Sequence, residues 1–190
     1  LAFLYAALAR RNRLGAVVAI GSPLRWEEVH PLVRLAFASP RLAGLIPMKN
    51  IRSRVRKIFP LLLRSPFLKI YLHPEIVDVR HIDRLVETID NPNRFINREM
   101  AEWIRHKDLM VDGKNLSHEF RKVKNPLLCV LANADGIVPP LTALSAHELA
   151  GSKIKDTLVV GTDKLRFAHA DLFVSNYSHE RVFHPIARWL

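Results

Sequence analysis

The sequence predicts an α/β protein, a parallel sheet flanked by helices, with one large helical insert. Three short apolar runs, at 16–20, 127–131 and 157–160, are typical of strands buried on both faces, and the first contains several β-branched residues. Helical patterns lie around and between these runs, so the strands are expected to be parallel. The stretch 24–111 does not follow this alternation and is expected to be an insert that covers one end of the sheet.

The chain opens with a helical pattern that precedes the first predicted strand. Apolar residues fall at i, i+3, i+4 and i+7 on one helical face, at Leu1, Leu4, Tyr5 and Leu8. The arginines that follow complement the negative end of the helix dipole, and the helix is expected to end near Asn12. The first strand is closed by Gly21-Ser22-Pro23, so residues 1–23 form the first part of the predicted core.

The predicted insert at 24–111 consists of short helices broken by proline. It holds seven of the twelve prolines, and proline ends or kinks a helix. The apolar residues between the prolines are expected either to line a substrate pocket or to form the insert's own core. Among them are Phe37, Ile46, Phe59, Leu62, Phe67 and Trp103.

The second part of the core is predicted at 112–190. The turn sequence Asn133-Ala134-Asp135-Gly136 ends the second strand, and a helix is expected over 139–150 with Gly151 just past its end. The last amphipathic helix contains Pro185, which is expected to kink or split it.

Composition places the 190 residues among ordinary globular chains. Hydrophobic residues make up 49% and charged residues 25%, which excludes collagen, low-complexity disorder and a disulfide scaffold. No apolar run reaches the roughly 18 residues of a transmembrane helix. The single cysteine, Cys129, cannot form an internal disulfide, which favours a reducing compartment such as the cytoplasm without establishing it.

Most of the formal net charge of +11 comes from one segment of the insert, residues 29–74. Between Val29 and Pro74 there are nine basic residues and no acidic ones, whereas the rest of the chain has 20 basic and 18 acidic residues. The run from Arg52 to Lys57 is expected to be either a solvated face or a surface for anionic lipid headgroups or a coenzyme A phosphate. It lacks interleaved aromatic residues and glycines, which argues against nucleic acid.

Two loops after predicted strands carry residues suited to catalysis. In open parallel sheets, catalytic groups lie outside the carboxyl ends of the strands. Asp135 follows the second strand and His169 follows the third, so the carboxylate is expected beside the imidazole, orienting it to take a proton from a nucleophile. Taken alone, each has an ordinary explanation, because Asp-Gly is a common turn pair and most single histidines are structural. Asp171 is an alternative acid, although a charge at a helix N-terminus is its expected role.

These loops resemble those of the α/β-hydrolase superfamily, of the serine esterase and lipase type. Asp135-Gly136-Ile137-Val138-Pro139-Pro140 is similar to the family's acid loop, and Ala168-His169-Ala170-Asp171-Leu172 to its histidine loop. The resemblance covers nearly the whole chain except the insert, which occupies the position of the family's lid. It implies that Asp135 is the triad acid and His169 the base.

One motif of the family is absent from the sequence. The G-x-S-x-G elbow, which carries the nucleophile, is not found, and Ser22 lies instead in Gly21-Ser22-Pro23-Leu24. In the family, the elbow comes immediately before the helix that the opening of this chain resembles. The resemblance therefore implies a nucleophile upstream of Leu1, whose identity stays open between Ser, Cys and Asp, and an inactive 190-residue chain.

The resemblance implies a hydrolase acting on a carboxylic ester or thioester of an apolar acyl group. Two alternatives stay open: an acyltransferase or polyhydroxyalkanoate-synthase-like enzyme that uses an acyl coenzyme A, and a non-catalytic binding module on the same fold. The expected partner is a small apolar ester or thioester, with an anionic membrane surface as a second one for the basic insert. No cofactor is expected, and the oligomeric state is left open.

The remaining reactive residues have weaker patterns. His179-Glu180 and His184 approach the zinc motif H-E-x-x-H, but a spacing of five residues rotates them apart by about 140° on a regular helix, so no metal site is predicted. Cys129 lies mid-strand among apolar residues and is expected to be inert. Ser22 is expected either to cap the first helix of the insert or to touch substrate.

Overall fold

The computed structural model describes residues 1–9, 11–43, 51–63, 65–87 and 93–190. In chain order, the described helices and strands are α1 (Ala2–Leu8), β1 (Val17–Ile20), α2 (Pro31–Ala36), α3 (Pro40–Ala43), α4 (Ile51–Leu62), α5 (Ile82–Glu87), α6 (Arg94–His106), β2 (Met110–Val111), β3 (Lys114–Asn115), α7 (Leu116–Phe120), β4 (Leu127–Ala132), α8 (Pro140–Leu149), β5 (Lys155–Val160), α9 (Asp171–Val174) and α10 (His184–Trp189). Short 3-10 turns at Leu68–Ile70, Pro74–Ile76 and Val79–His81 lie between α4 and α5, and a π-helical turn at His179–Phe183 precedes α10.

The predicted parallel sheet is confirmed, but the prediction that its third strand is buried on both faces is wrong, because β5 is an edge strand of the described sheet in which Asp156, Thr157 and Val159 are exposed. The central strand β4 pairs in parallel with β1 and with β5, so that Leu127 lies opposite Val17 on one side and Lys155 on the other. Every residue of β4 is buried. Successive side chains point to opposite faces, and Cys129 therefore packs in one apolar cluster and Leu128 in another. Burial on both faces explains why this run is continuously apolar rather than alternating.

Helices α1, α7 and α8 cover one face of the sheet. They share a buried cluster with β1 and β4 that includes Ala6, Val17, Ala19, Leu116, Phe120, Leu127, Cys129 and Ala146. Helix α1 ends earlier than predicted, at Leu8, because Ala9 is extended. The side-chain amide of Asn12 then donates to the Ala6 carbonyl at 3.2 Å and to Oδ1 of Asn125 at 2.5 Å, which ties the end of α1 to the loop before β4.

The other face is covered by the C-terminal segments and by part of the insert. Their shared cluster includes Phe59, Leu68, Leu72, Ile76, Val77, Leu128, Val130, Ala132, Phe167, Leu172 and Val182. In α4, Val55, Phe59 and Leu62 recur at i, i+4 and i+7 and turn the apolar side of the helix toward this cluster. The insert thus shares its core with the sheet, and its boundaries at 24 and 111 stay a prediction.

The short helices expected in the insert are present. One element that the sequence does not predict is the small hairpin of β2 and β3. Its turn residues Asp112 and Gly113 have φ values of 49° and 75°, the two positive values that a type I′ turn requires. A third cluster, of Trp26, Val33, Ile104, Leu131 and Val138, joins the start of the insert and α6 to the end of β4.

The closing helix is split, as predicted, near Pro185. Proline has no N–H to donate to the carbonyl four residues earlier, and the chain forms the π-helical turn His179–Phe183 before α10 continues. Across the described ranges, no helix is long and apolar enough to cross a bilayer.

Candidate active site

Asp135 lies just after β4, and its side chain is fully buried. Its Oδ1 accepts hydrogen bonds from the backbone N–H groups of Ile137 and Val138, both at 2.8 Å. These bonds close a turn around the carboxylate and fix its orientation. Oδ2 consequently faces His169.

His169 lies in the loop after β5, with its Nδ1 at 2.8 Å from Oδ2 of Asp135. Because a carboxylate oxygen only accepts, Nδ1 carries the proton of this bond and Nε2 is left as the acceptor nitrogen. The imidazole is 24% exposed, whereas the carboxylate is wholly buried. Such a pair can take a proton at Nε2 and stabilise the resulting imidazolium.

Hydrogen bonds between the loops after β4 and β5 bring this pair together. The N–H of Asn133 donates to the Val160 carbonyl at 3.0 Å, and the N–H of Ala134 donates to the Phe167 carbonyl at 2.9 Å. The Asn133 side chain adds two further bonds, accepting from the Phe167 N–H and donating to the Thr162 carbonyl, both at 2.9 Å. Asn133 is not among the predicted site residues, because its only signal in the sequence is its place in the turn after a strand.

Gly21, the first residue after β1, packs against His169. Its φ is 52°, and a Cβ at this position would lie 3.2 Å from Cε1 of His169 and 3.2 Å from Cδ1 of Leu172. The left-handed backbone favours glycine, and a Cβ would require His169 and Leu172 to move by a few tenths of an ångström. All three strand ends therefore contribute to the surroundings of the imidazole.

The insert closes the site on a further side. The Ile70 carbonyl accepts from the Gly136 N–H at 3.0 Å, and the Tyr71 carbonyl accepts from the Ala170 N–H at 2.7 Å. The Tyr71 ring lies beside His169, with centroids 6.3 Å apart, and burial raises the pKa of its hydroxyl. Ile70 and Tyr71 are not among the predicted site residues, because no local pattern marks a segment that packs on distant loops.

Asp171 is not the partner of His169. Its buried carboxylate accepts bonds from Ala168 and His73, so the structure brings Asp135, and not Asp171, to the imidazole. Asp171 does begin α9, as expected of a charge at a helix N-terminus. Its bonds nevertheless go to residues outside that helix.

Ser22 does not cap the first helix of the insert, and that prediction is wrong. Its hydroxyl donates to the Ile20 carbonyl at 3.0 Å, and α2 begins too far along the chain for Ser22 to reach it. His30 caps α2 instead, with Nδ1 accepting from the Leu32 N–H at 3.2 Å. Ser22 also lines a cavity of about 310 Å³ beside α1.

Cys129 is buried in the middle of β4, and burial raises the pKa of its thiol to about 11. The thiol therefore stays protonated at neutral pH, and a thiol in this state is a poor nucleophile and metal ligand. The geometry agrees with the predicted inertness of Cys129.

His179 and His184 lie closer together than a regular helix allows. The predicted rotation of about 140° between the two side chains assumed 3.6 residues per turn. It is wrong because the π-helical turn has more residues per turn. The ring centroids are 4.3 Å apart. Within the part of the chain that the structure describes, no group of three or more His, Cys, Asp or Glu side chains could hold a metal ion.

The basic run of the insert lies on α4 and is partly neutralised. Arg52, Arg56 and Lys57 are exposed, but Nε of Arg56 is 2.8 Å from Oδ1 of Asp83. That the basic run of α4 binds a membrane surface or coenzyme A stays a prediction.

The apolar insert residues fall into different surroundings. Phe59 and Leu62 pack in the shared core, and Phe37 and Trp103 pack around the third cluster. Phe67 is exposed, and Ile46 lies outside the described residues. A role in lining an acyl pocket stays a prediction for all of them.

No family model matches the sequence, and the search of curated proteins finds no match. Among solved structures, a meta-cleavage product hydrolase from Pseudomonas fluorescens is 12% identical with a TM-score of 0.48, and an α/β-hydrolase fold protein from Nakamurella multipartita is 18% identical with a TM-score of 0.44. A monoacylglycerol lipase from Paleococcus ferrophilus is 17% identical, covers 99% of this chain, and has a TM-score of 0.53. The chain has the α/β-hydrolase fold.

The α/β-hydrolase fold accounts for the parallel order of β1, β4 and β5. The chain covers 62% of the lipase, 59% of the meta-cleavage product hydrolase and 64% of the Nakamurella protein, so it spans about three fifths of the length of these structures. Within the α/β-hydrolase fold, Asp135 and His169 lie at the carboxyl end of the sheet, where such folds place their chemistry.

Proposed function

We propose that this protein is a hydrolase that cleaves a carboxylic ester or thioester of an apolar acyl group, with His169 as the general base and Asp135 as the acid that orients it. One observation carries the proposal, the 2.8 Å contact between Nδ1 of His169 and Oδ2 of Asp135. A turn aspartate needs only one oxygen, and Oδ1 already accepts both turn bonds. The second oxygen, buried and directed at an imidazole, has no role in the turn.

In the proposed reaction, a nucleophile supplied from upstream of Leu1 attacks the acyl carbon while Nε2 of His169 takes its proton. The imidazolium is stabilised by Asp135 and returns the proton to the departing alcohol or thiol, which leaves an acyl-enzyme. Water then attacks the acyl-enzyme by the same route, and the free acid leaves. The nucleophile belongs upstream because no serine here has the glycines of the elbow.

An apolar acyl group is supported by the aromatic side chain beside His169. The Tyr71 ring is 44% exposed and lies 6.3 Å from the imidazole, measured between centroids. Such a neighbour offers an acyl chain apolar surface.

The test compares variants of the full-length protein in the hydrolysis of a p-nitrophenyl acyl ester. Asp135→Asn should lower kcat by roughly 10⁴-fold and His169→Ala by roughly 10⁶-fold. The matched controls Asp163→Asn and His118→Ala change exposed residues and should leave kcat unchanged. If both site variants fold, shown by urea unfolding, and keep wild-type turnover, the proposed function is wrong.

The same assay distinguishes the other functions open for this fold. Acyl transfer from a thioester to an added alcohol, in preference to water, would identify an acyltransferase. Lack of turnover in a folded full-length protein that has no Ser, Cys or Asp at the elbow would identify a binding module.

A further inference from the structure

We propose that Asp171 is a positioning residue, whose buried carboxylate joins the histidine loop to His73 of the insert and so holds His169 against Asp135. This inference rests on the proposed function, because it assigns a role to Asp171 in placing the general base. It also assigns a role to the insert, as a fixed support of the site rather than a cover alone.

The first part of the argument is the bond within the histidine loop. The carboxylate of Asp171 lies two residues after His169, and its Oδ2 accepts from the Ala168 N–H at 2.7 Å. This bond closes a loop of four residues with His169 inside it. A histidine between two tethered neighbours has few backbone conformations available, so its imidazole is held in one direction.

The second part is the bond to the insert. The backbone N–H of His73 lies 3.1 Å from both carboxylate oxygens of Asp171, and Nδ1 of His73 lies 2.9 Å from Oδ2. The Asp171 side chain is wholly buried and that of His73 is 15% exposed. These partners lie 98 positions apart in sequence, so the carboxylate joins two segments that are distant along the chain.

Neighbouring contacts extend the same junction along the insert. The Tyr71 carbonyl accepts from the Ala170 N–H at 2.7 Å, and the Ile76 carbonyl accepts from the Asn176 N–H at 2.8 Å. The segment 71–77 therefore lies along the histidine loop and α9. Asp171 is the charged side chain at the centre of this junction.

The chemistry of a buried carboxylate gives these bonds their importance. Burial raises the pKa of Asp171, while the bonds from Ala168 and His73 act in the opposite direction. Removal of the carboxylate would leave the N–H groups of Ala168 and His73 buried without an acceptor. Both groups would then have to move toward water, and the histidine loop would open.

The spectroscopic test observes His169 itself in the full-length protein. Ring ¹H–¹⁵N correlation spectra, assigned by comparison with His169→Gln, report which nitrogen is protonated and how fast the Nδ1 proton exchanges. The wild type should show the Nδ1–H form only. Asp171→Ala should show both tautomers, with Nδ1 exchange faster by about tenfold.

Two conservative variants separate positioning from general stability. Asp171→Asn keeps an oxygen acceptor and should retain most of the wild-type signature, and His73→Ala keeps its backbone N–H and should have an intermediate effect. Ser152→Ala is the matched control, since it removes a buried hydroxyl that bonds to Ile154 at the amino end of β5. That end is about 20 Å from the histidine loop at the usual rise per residue, so the control should lose stability but keep the His169 signal.

The kinetic test compares Asp171→Ala with His169→Ala in the same ester assay. Asp171→Ala should lower kcat by about 10- to 100-fold with KM changed less than about threefold, as expected when a base is misplaced rather than removed. If His169→Ala abolishes turnover while Asp171→Ala changes neither kcat nor the Nδ1 signal, the positioning role is wrong and the proposed function stands.

If His169→Ala keeps full turnover, the proposed function fails, and the tautomer spectra alone decide whether Asp171 holds His169. Should Asp171→Ala fail to fold, His73→Ala decides the matter, because it is expected to have an intermediate effect. Wild-type spectra and kinetics in His73→Ala would overturn the inference.

Discussion

Replacing Gly136 by alanine tests the close contact between the acid loop and the insert. A Cβ at this position would lie 2.5 Å from Cβ of Ile70 and 2.9 Å from its Cα. Carbon atoms pack at about 3.5–4.0 Å, so the two segments would have to separate by about 1 Å. The 3.0 Å bond from the Gly136 N–H to the Ile70 carbonyl would break at that separation.

The expected loss of stability follows from these two terms. Overpacking of this kind costs about 1–3 kcal/mol, and the broken hydrogen bond adds about 1 kcal/mol. Urea unfolding, followed by circular dichroism, should show this decrease in the free energy of unfolding with an unchanged m-value. The matched control is Gly15→Ala, because a Cβ at Gly15 would meet nothing within 4 Å. This control should be neutral or more stable by up to about 1 kcal/mol.

A double variant tests which atoms of Ile70 collide with a Cβ at position 136. The nearest atoms of Ile70 are its Cβ and Cα, which alanine retains, so Ile70→Ala should not rescue Gly136→Ala. If Gly136→Ala unfolds within about 0.5 kcal/mol of wild type, or if Ile70→Ala restores its stability, the insert does not pack on the acid loop as described.

Three further results are expected. Gly21→Ala should lower the free energy of unfolding in urea by about 1–2 kcal/mol, because alanine disfavours the positive φ at this position. It should also lower ester turnover, because the new Cβ would displace His169. Wild-type stability and turnover would contradict the packing of Gly21. Because burial raises the pKa of the Cys129 thiol to about 11, thiolate is scarce below that pH, and Ellman's reagent should react at pH 8 only after unfolding. Thr142→Val should cost about 1–3 kcal/mol in thermal unfolding, because its hydroxyl accepts two backbone N–H groups at the start of the insert; an unchanged Tm would contradict this.

The parallel sheet and the meeting of Asp135 with His169 could be predicted from the sequence because the patterns that indicate them are local. The run at 127–131 is continuously apolar because both of its faces are covered, and the sequence therefore shows the burial directly. Asp135 and His169 follow strands, and the carboxyl ends of parallel strands necessarily meet at one edge. The assignment of their roles stays a prediction that the variants above test.

The junction between the insert and the site could not be predicted from the sequence, because the residues that form it are distant along the chain. Nothing near His73 indicates that its N–H will meet Asp171, and nothing near Ile70 indicates that it will pack on Gly136. The approach of His179 to His184 was missed for a different reason. The spacing was converted to an angle with the α-helical period, whereas the chain around Pro185 adopts a wider turn.

Local sequence patterns predict the parallel α/β arrangement, the order of the strands along the chain, and the two loops that carry an acid and a histidine. These depend on patterns of burial and turn formation that extend over only a few residues. The tertiary structure places the expected Asp135, and not the alternative Asp171, at His169, and it shows bonds from the insert to both loops that no local pattern predicts. Such choices depend on which hydrogen-bond donors meet which buried carboxylate, and that is set by long-range packing rather than by local sequence.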